Sequence, residues 1–100
     1  MVSIAYIDDD ENELYVARDE GFNCYHPDDY IVAIRDNDII VTDLMLGSQD
    51  ILESIVVASA DKPLLITSGL PELREFYRVE QFPFSPKPIT MQGALDALGR

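Results

Sequence analysis

Four places in this 100-residue chain carry side chains that could act together. The run Ile4-Ala5-Tyr6-Ile7 stops at Asp8-Asp9-Asp10, Ile39-Ile40-Val41-Thr42 stops at Asp43, Leu64-Leu65-Ile66 stops at Thr67, and the stretch from Phe82 to Pro86 runs into Lys87. Each run reads as a strand, so each polar residue falls where a strand ends. Singly they are ordinary turn residues. On one rim, however, Asp8, Asp9 and Asp43 would repel one another, and Lys87 balances only one charge. Such a cluster needs a cation, and hard oxygen ligands with room for water suit Mg²⁺ or Mn²⁺. A carboxylate beside that cation can attack phosphorus and become an acyl phosphate, provided positive charge neutralises the phosphoryl oxygens. Asp43 is placed for the attack, and the Thr67 hydroxyl and Lys87 ammonium for phosphoryl oxygens. The modified state would then make contacts the free state lacks, which is what drives a switch.

The elements that must position these residues alternate apolar runs with amphipathic stretches, the rhythm of βαβ units. Ser3 to Ile7 is the first strand, and Glu11 to Glu20 a helix with Leu14 and Ala17 inward and Gly21 at its end. Phe22 to Tyr25 is a brief second strand. His26-Pro27-Asp28-Asp29 opens the next helix, with both aspartates in its first turn and Tyr30, Ala33 and Ile34 as its apolar stripe. Asp38 to Asp43, the most β-like segment, predicts the central strand. Ser48 to Ala60 carries Ile51, Leu52, Ile55, Val56 and Ala58 at helical spacing, and Leu64 to Thr67 is the fourth strand. Pro71 to Tyr77 predicts a helix with proline in its first turn. Phe82 to Pro86 is a fifth strand, confined to an edge because Pro83 and Pro86 donate no ladder hydrogen bonds. Thr90 to Leu98 closes the chain as a helix facing inward through Ala94, Leu95 and Leu98. Five strands and five helices with tight connections predict an α/β fold, a doubly wound parallel (βα)5 sheet, whose ligands sit outside the carboxyl ends of the strands.

Seven Lys and Arg against 19 Asp and Glu give a formal charge of −12, which argues against a surface that grips phosphate backbones, so no nucleic acid partner is expected. No apolar run approaches the roughly 18 residues needed to cross a bilayer, and no basic leader precedes the acidic cluster, so the expectation is a cytoplasmic protein without membrane contact. The length predicts a single domain over residues 1–100 with no output domain. Cys24, the one cysteine, reads as a small buried side chain rather than a redox group. His26, the one histidine, reads as a surface turn residue, which leaves no Ser-His-Asp triad or zinc cluster to build. Asp8-x-Asp10-x-Asn12 opens like a calcium loop, but Glu13 stands where its sharp turn requires glycine, so Asp10 reads as a solvated neighbour. Phe76, Tyr77 and Tyr30 read as helix packing residues.

Ile4-Ala5-Tyr6-Ile7-Asp8-Asp9-Asp10, Val41-Thr42-Asp43-Leu44-Met45-Leu46-Gly47, Leu64-Leu65-Ile66-Thr67-Ser68-Gly69 and Ser85-Pro86-Lys87-Pro88 together resemble the receiver domains of two-component response regulators, in order along the whole chain. The resemblance implies a flavodoxin-like sheet with strand order 2-1-3-4-5. It makes Asp43 the phosphoacceptor, Asp9 a direct Mg²⁺ ligand, Asp8 the holder of a metal-bound water, and the Met45 backbone carbonyl a third protein ligand. Thr67 becomes the switch hydroxyl, Lys87 the phosphate-binding lysine before a cis Lys87-Pro88 bond, and Phe84 the switching aromatic, with a plain core phenylalanine as the rival reading. The chain departs from the family pattern in its shortened helices and in Gly47, which stands where many receivers have proline; Leu46-Gly47 with Thr67-Ser68-Gly69 resembles short, stand-alone receivers and those attached to hybrid kinases.

The implied function is a response regulator that takes a phosphoryl group from a histidine kinase or histidine phosphotransfer protein and signals to a downstream target by protein contacts, as a monomer or weak homodimer. Its only chemistry would be Mg²⁺-dependent self-phosphorylation and autodephosphorylation. The rival from another class is a degenerate receiver that binds proteins without being phosphorylated; the joint presence of Asp8, Asp9, Asp43, Thr67 and Lys87 leans against it. A phosphatase using Asp43 as nucleophile would need a second carboxylate two residues on, where Met45 stands.

Overall fold

Three strands are buried on both faces and two are not, and that difference orders the sheet. The computed structural model describes residues 2–70 and 72–100, with only the backbone of Phe76. Every residue of β1 (Ile4–Ile7), β3 (Ile39–Asp43) and β4 (Leu64–Ser68) is buried, whereas β2 (Asn23–Tyr25) and β5 (Phe84–Pro86) are only partly covered. All pairings are parallel, in the order β2-β1-β3-β4-β5. The doubly wound five-stranded sheet is thus present, with the proline-bearing β5 at one edge and the short β2 at the other.

The helices are α1 (Glu11–Glu20), α2 (Tyr30–Asp36), α3 (Gln49–Ala58), α4 (Leu73–Phe76) and α5 (Met91–Ala97). Alternation along the strands divides the core. Ile4, Tyr6, Ile39, Val41 and Leu65 join Leu14, Ala17, Phe22, Ile89 and Ala94 of the α1/α5 side. Ala5, Ile7, Ile40, Leu64 and Ile66 join Ala33, Ile34, Leu52, Ile55 and Val79 of the other. The polar residues inherit this parity. Asp8 follows Tyr6 by two, Asp43 follows Val41 by two and Thr67 follows Leu65 by two, so all three lie on one face at the carboxyl ends. The register sets Asp43 directly across from Thr67.

Local sequence explains most element ends. Asp10 caps α1 by accepting from the Asn12 backbone N–H at 2.8 Å, and Gly21, at φ +108°, closes it in the left-handed region. Ser48 and Thr90 cap α3 and α5 through bonds to the Ile51 and Gly93 N–H groups. Two expected elements differ. Asp28 and Asp29 lie in a 3-10 turn, Pro27–Asp29, and the α-helix begins only at Tyr30, because the His26 carbonyl already takes the Asp29 N–H in a tight turn. The helix expected from Pro71 to Tyr77 is a single turn, Leu73–Phe76, followed by Arg78 at φ 59°; Pro71 lies outside the described residues. Phe22 is buried in the core and Phe82 packs against its margin, neither joining its strand.

Candidate functional site

The carboxyl ends of β1 and β3 bring Asp8, Asp9 and Asp43 so close that one carboxylate oxygen from each lies within 4.8 Å of the others. Asp8 is fully buried and Asp43 nearly so, while Asp9 is exposed. The chain leaving β5 brings Lys87, whose Nζ lies 2.9 Å from Asp8 Oδ2 and 3.2 Å from Asp43 Oδ1. Thr67 completes the group. Its hydroxyl is buried and without a hydrogen-bond partner, next to Asp43 in the sheet.

Two carboxylates, largely out of water and sharing one ammonium, are electrostatically unfavourable when both are ionised. Burial, and then the charge of Asp8, push the Asp43 carboxyl up to about 7, against the opposing pull of Lys87. Burial alone would lower the Lys87 ammonium, but the bonds and charges of Asp8 and Asp43 outweigh it and raise its pKa. Three hard oxygen donors, one of them at the surface where water can complete a coordination shell, fit a divalent cation, which would favour the ionised Asp43 carboxylate.

The loop after β3 runs beside this group. Gly47 has φ +87°, in the left-handed region, and an added Cβ there would lie 3.9 Å from Asp9 Oδ2. Proline, fixed near −65°, could not take that conformation, so glycine at this position follows from the path of the loop after β3. Met45, in the same loop, is half-exposed, and the Leu44 N–H at its start donates to the Thr67 carbonyl at 2.9 Å. The Lys87-Pro88 peptide is cis, and the Lys87 N–H donates to the Ser68 carbonyl. Phe84 is partly buried against the α2–α4 side of the core, with the Arg74 guanidinium 4.7 Å above its ring. Arg74 also donates to the Glu80 and Phe82 carbonyls.

Some roles differ from the expectation or were not visible in it. Asp10 is the cap of α1, not merely solvated, and its backbone N–H donates to Asp8 Oδ1 at 3.0 Å. The sequence Asp10-Glu11-Asn12-Glu13, a cap residue with Glu three positions on, was the available signal. Tyr6 went unremarked as a polar residue, yet its hydroxyl donates to Asp8 Oδ2 at 2.9 Å. Its place two residues before Asp8 on a strand would have predicted the shared face. His26 is an exposed turn residue 2.7 Å from Glu11, and Cys24 is only partly buried, its thiol donating to the Leu14 carbonyl, with burial pushing its pKa up. Tyr30 and Tyr77 pack against the core from its margin.

No protein-family model and no curated protein matches the sequence. Solved structures do. One is a response regulator protein from Burkholderia pseudomallei with a phosphorylated aspartic acid, calcium ion and citrate, at 17% identity and a TM-score of 0.65, covering 98% of this chain and 66% of that one. Another is NtrX from Brucella abortus in complex with ADP, at 23% identity and a TM-score of 0.65, covering 98% of this chain and 26% of that one. A third is a BeF3-activated DrrB receiver domain, at 18% identity and a TM-score of 0.67, covering 100% of this chain and 99% of that one. The chain therefore spans less than two thirds of the first two proteins and nearly all of the third. With its strand order 2-1-3-4-5 and superposition on a receiver domain over the whole chain, this chain has the receiver-domain fold of response regulators.

Proposed function

We propose that this protein is a phosphoacceptor switch of a two-component pathway, with Asp43 as the residue that is modified. The observation that carries the reading is the convergence of Asp8, Asp9, Asp43 and Lys87 beside a buried, unpartnered Thr67 hydroxyl. Asp8, Asp9 and Asp43, with the Met45 carbonyl, would hold Mg²⁺ or Mn²⁺. When bound, the cation supplies positive charge that favours ionised Asp43 and screens phosphoryl oxygens.

An ionised Asp43 oxygen attacks the phosphorus of a phosphohistidine on a kinase or histidine phosphotransfer protein. The new O–P bond forms as the P–N bond breaks, and the electron pair leaves with the imidazole. Lys87, within reach of Asp43, pairs with a phosphoryl oxygen, and Thr67 donates to another, which gives its hydroxyl the partner it lacks. These contacts exist only in the modified state and bias the loop after β4, which carries α4, and strand β5, which carries Phe84. Hydrolysis of the acyl phosphate resets the switch. No described helix is long and apolar enough to cross a membrane. A cytoplasmic location and signalling by protein contacts complete the proposal.

The test is intact mass after incubation with acetyl phosphate and Mg²⁺. One phosphoryl adduct is expected in the wild type and none in Asp43→Asn. Mg²⁺ binding without any adduct, from acetyl phosphate or a kinase panel, would favour a fixed binding module.

A further inference from the structure

Tyr6 is a large side chain with a polar end, and the fold spends that end on the site. It is 1% exposed, its ring packs on Phe22 with centroids 5.6 Å apart, and its hydroxyl reaches Asp8 Oδ2. The same oxygen accepts from Lys87 Nζ at 2.9 Å, while Oδ1 accepts the Asp10 N–H at 3.0 Å. A carboxylate oxygen offers two lone pairs in its plane, so Oδ2 is saturated and Oδ1 keeps one lone pair open. Asp8 can therefore meet a cation, or water on a cation, only through Oδ1 in this arrangement.

The doubled donor matters for Lys87. Asp8 is fully buried, so bulk water cannot replace a donor that leaves, and an unpaired buried acceptor is costly. Lys87 spans two carboxylates, at 2.9 Å and 3.2 Å, so it can turn toward Asp43 by changing partners. We propose that Tyr6 is a positioning residue which keeps Asp8 Oδ2 hydrogen-bonded when Lys87 turns from Asp8 to a phosphoryl group on Asp43. The proposal rests on the phosphoacceptor reading and adds a residue to it. Without the Tyr6 hydroxyl, the cost falls on the phosphoryl-loaded state and not on the resting one, where Lys87 alone still covers Oδ2.

Tyr6→Phe keeps the ring and removes the donor. Two titrations on the whole chain separate the states: Mg²⁺ alone by calorimetry, and beryllofluoride with saturating Mg²⁺ by ¹⁹F NMR, the latter as a non-covalent stand-in for the phosphoryl group. The Mg²⁺ affinity of Tyr6→Phe is expected within about twofold of wild type, and its beryllofluoride midpoint weakened about tenfold, the effect of one lost bond to a charged group. In the wild type, the Tyr6 hydroxyl proton, sealed from water, is expected as an NMR resonance that persists on loading. Equal weakening of both titrations, no weakening of either, or loss of the resonance on loading would overturn the proposal. A wild type that takes no beryllofluoride overturns the phosphoacceptor reading itself, whereas loading that Tyr6→Phe leaves unchanged removes only Tyr6.

Discussion

Asp38 and Asp43 stand at opposite ends of the same strand, and the protein treats them in opposite ways. Asp38, exposed at the amino end of β3, accepts from the Ser3 backbone N–H at 2.9 Å and the Ser3 hydroxyl at 3.2 Å, and these bonds hold its carboxyl below the usual range. Lys62 and Asn37, at the end of α2, are similarly well paired. Lys62 donates to the Ile34, Arg35 and Asn37 carbonyls and so closes the end of α2, and the buried Asn37 amide is bonded to Asn23, Tyr25 and Ala33. At the carboxyl end, Asp43 and Asp8 share one ammonium, Asp43 is driven up to about 7, and Thr67 has no partner. The same chemistry is satisfied at one end of the strand and left incomplete at the other. Among the described residues the Ser59 hydroxyl and Arg74 Nε also lack partners elsewhere, but only at this rim does an unpartnered hydroxyl stand beside two buried carboxylates, as a site awaiting a cation and an anion at the ligand-binding end of a doubly wound sheet should show.

The comparison can be broken by removing the cation that both carboxylates share. Lys87→Ala leaves Asp8 and Asp43 without their ammonium, and should cost on the order of 2–3 kcal/mol of stability in EDTA. It should keep Mg²⁺ affinity yet lose the conformational response to beryllofluoride; an unchanged response, read by NMR shifts in α4 and β5, would remove Lys87 from the switch.

The metal assignment is sharpened by neighbours of different standing. Asp9→Asn should weaken Mg²⁺ about tenfold or more, a ligand-level loss, whereas Asp10→Asn, which can still cap α1, should change it little. Equal effects in calorimetry would undo the assignment.

The smallest effect concerns pH. Asp43 has a folded-state pKa above its unfolded value, so between about pH 4 and 7 the native state binds more protons than the unfolded chain. Metal-free stability should therefore fall as pH rises through this window. Asp43→Asn should flatten that slope and, at pH 8 in EDTA, stabilise the fold by about 1 kcal/mol, or roughly 4–8 °C in Tm for a domain of this size. A slope unchanged in the variant would mean that Asp43 is not the strained group. Asp38→Asn, removing a carboxylate that is already well paired, should lower stability slightly at neutral pH and leave Mg²⁺ affinity unchanged.

Much of this was legible in the sequence because the signals were local. Continuous apolar runs gave the three buried strands, prolines gave the edge, and a carboxylate or hydroxyl at each strand end gave the rim. What escaped depends on groups distant in sequence or on tertiary competition. Lys62 caps a helix that ended 26 residues earlier, so no window shows it. The start of α2 and the brevity of α4 reflect tight backbone turns at His26–Asp29 and Glu75–Val79, where helical propensity alone would have continued the helix. Tyr6 looked like a strand residue because it is one; its second role appears only when Asp8 is placed above it.

The central claim is that Asp43, and no other group, accepts the phosphoryl group. The most direct measurement is to phosphorylate the full chain with acetyl phosphate and Mg²⁺, trap the acyl phosphate by borohydride reduction, and locate the reduced residue by peptide mass spectrometry. The account predicts reduction at Asp43 alone, absent when Mg²⁺ is removed. Label at Asp8, Asp9 or His26, or label at Asp43 that persists without any divalent cation, would contradict it.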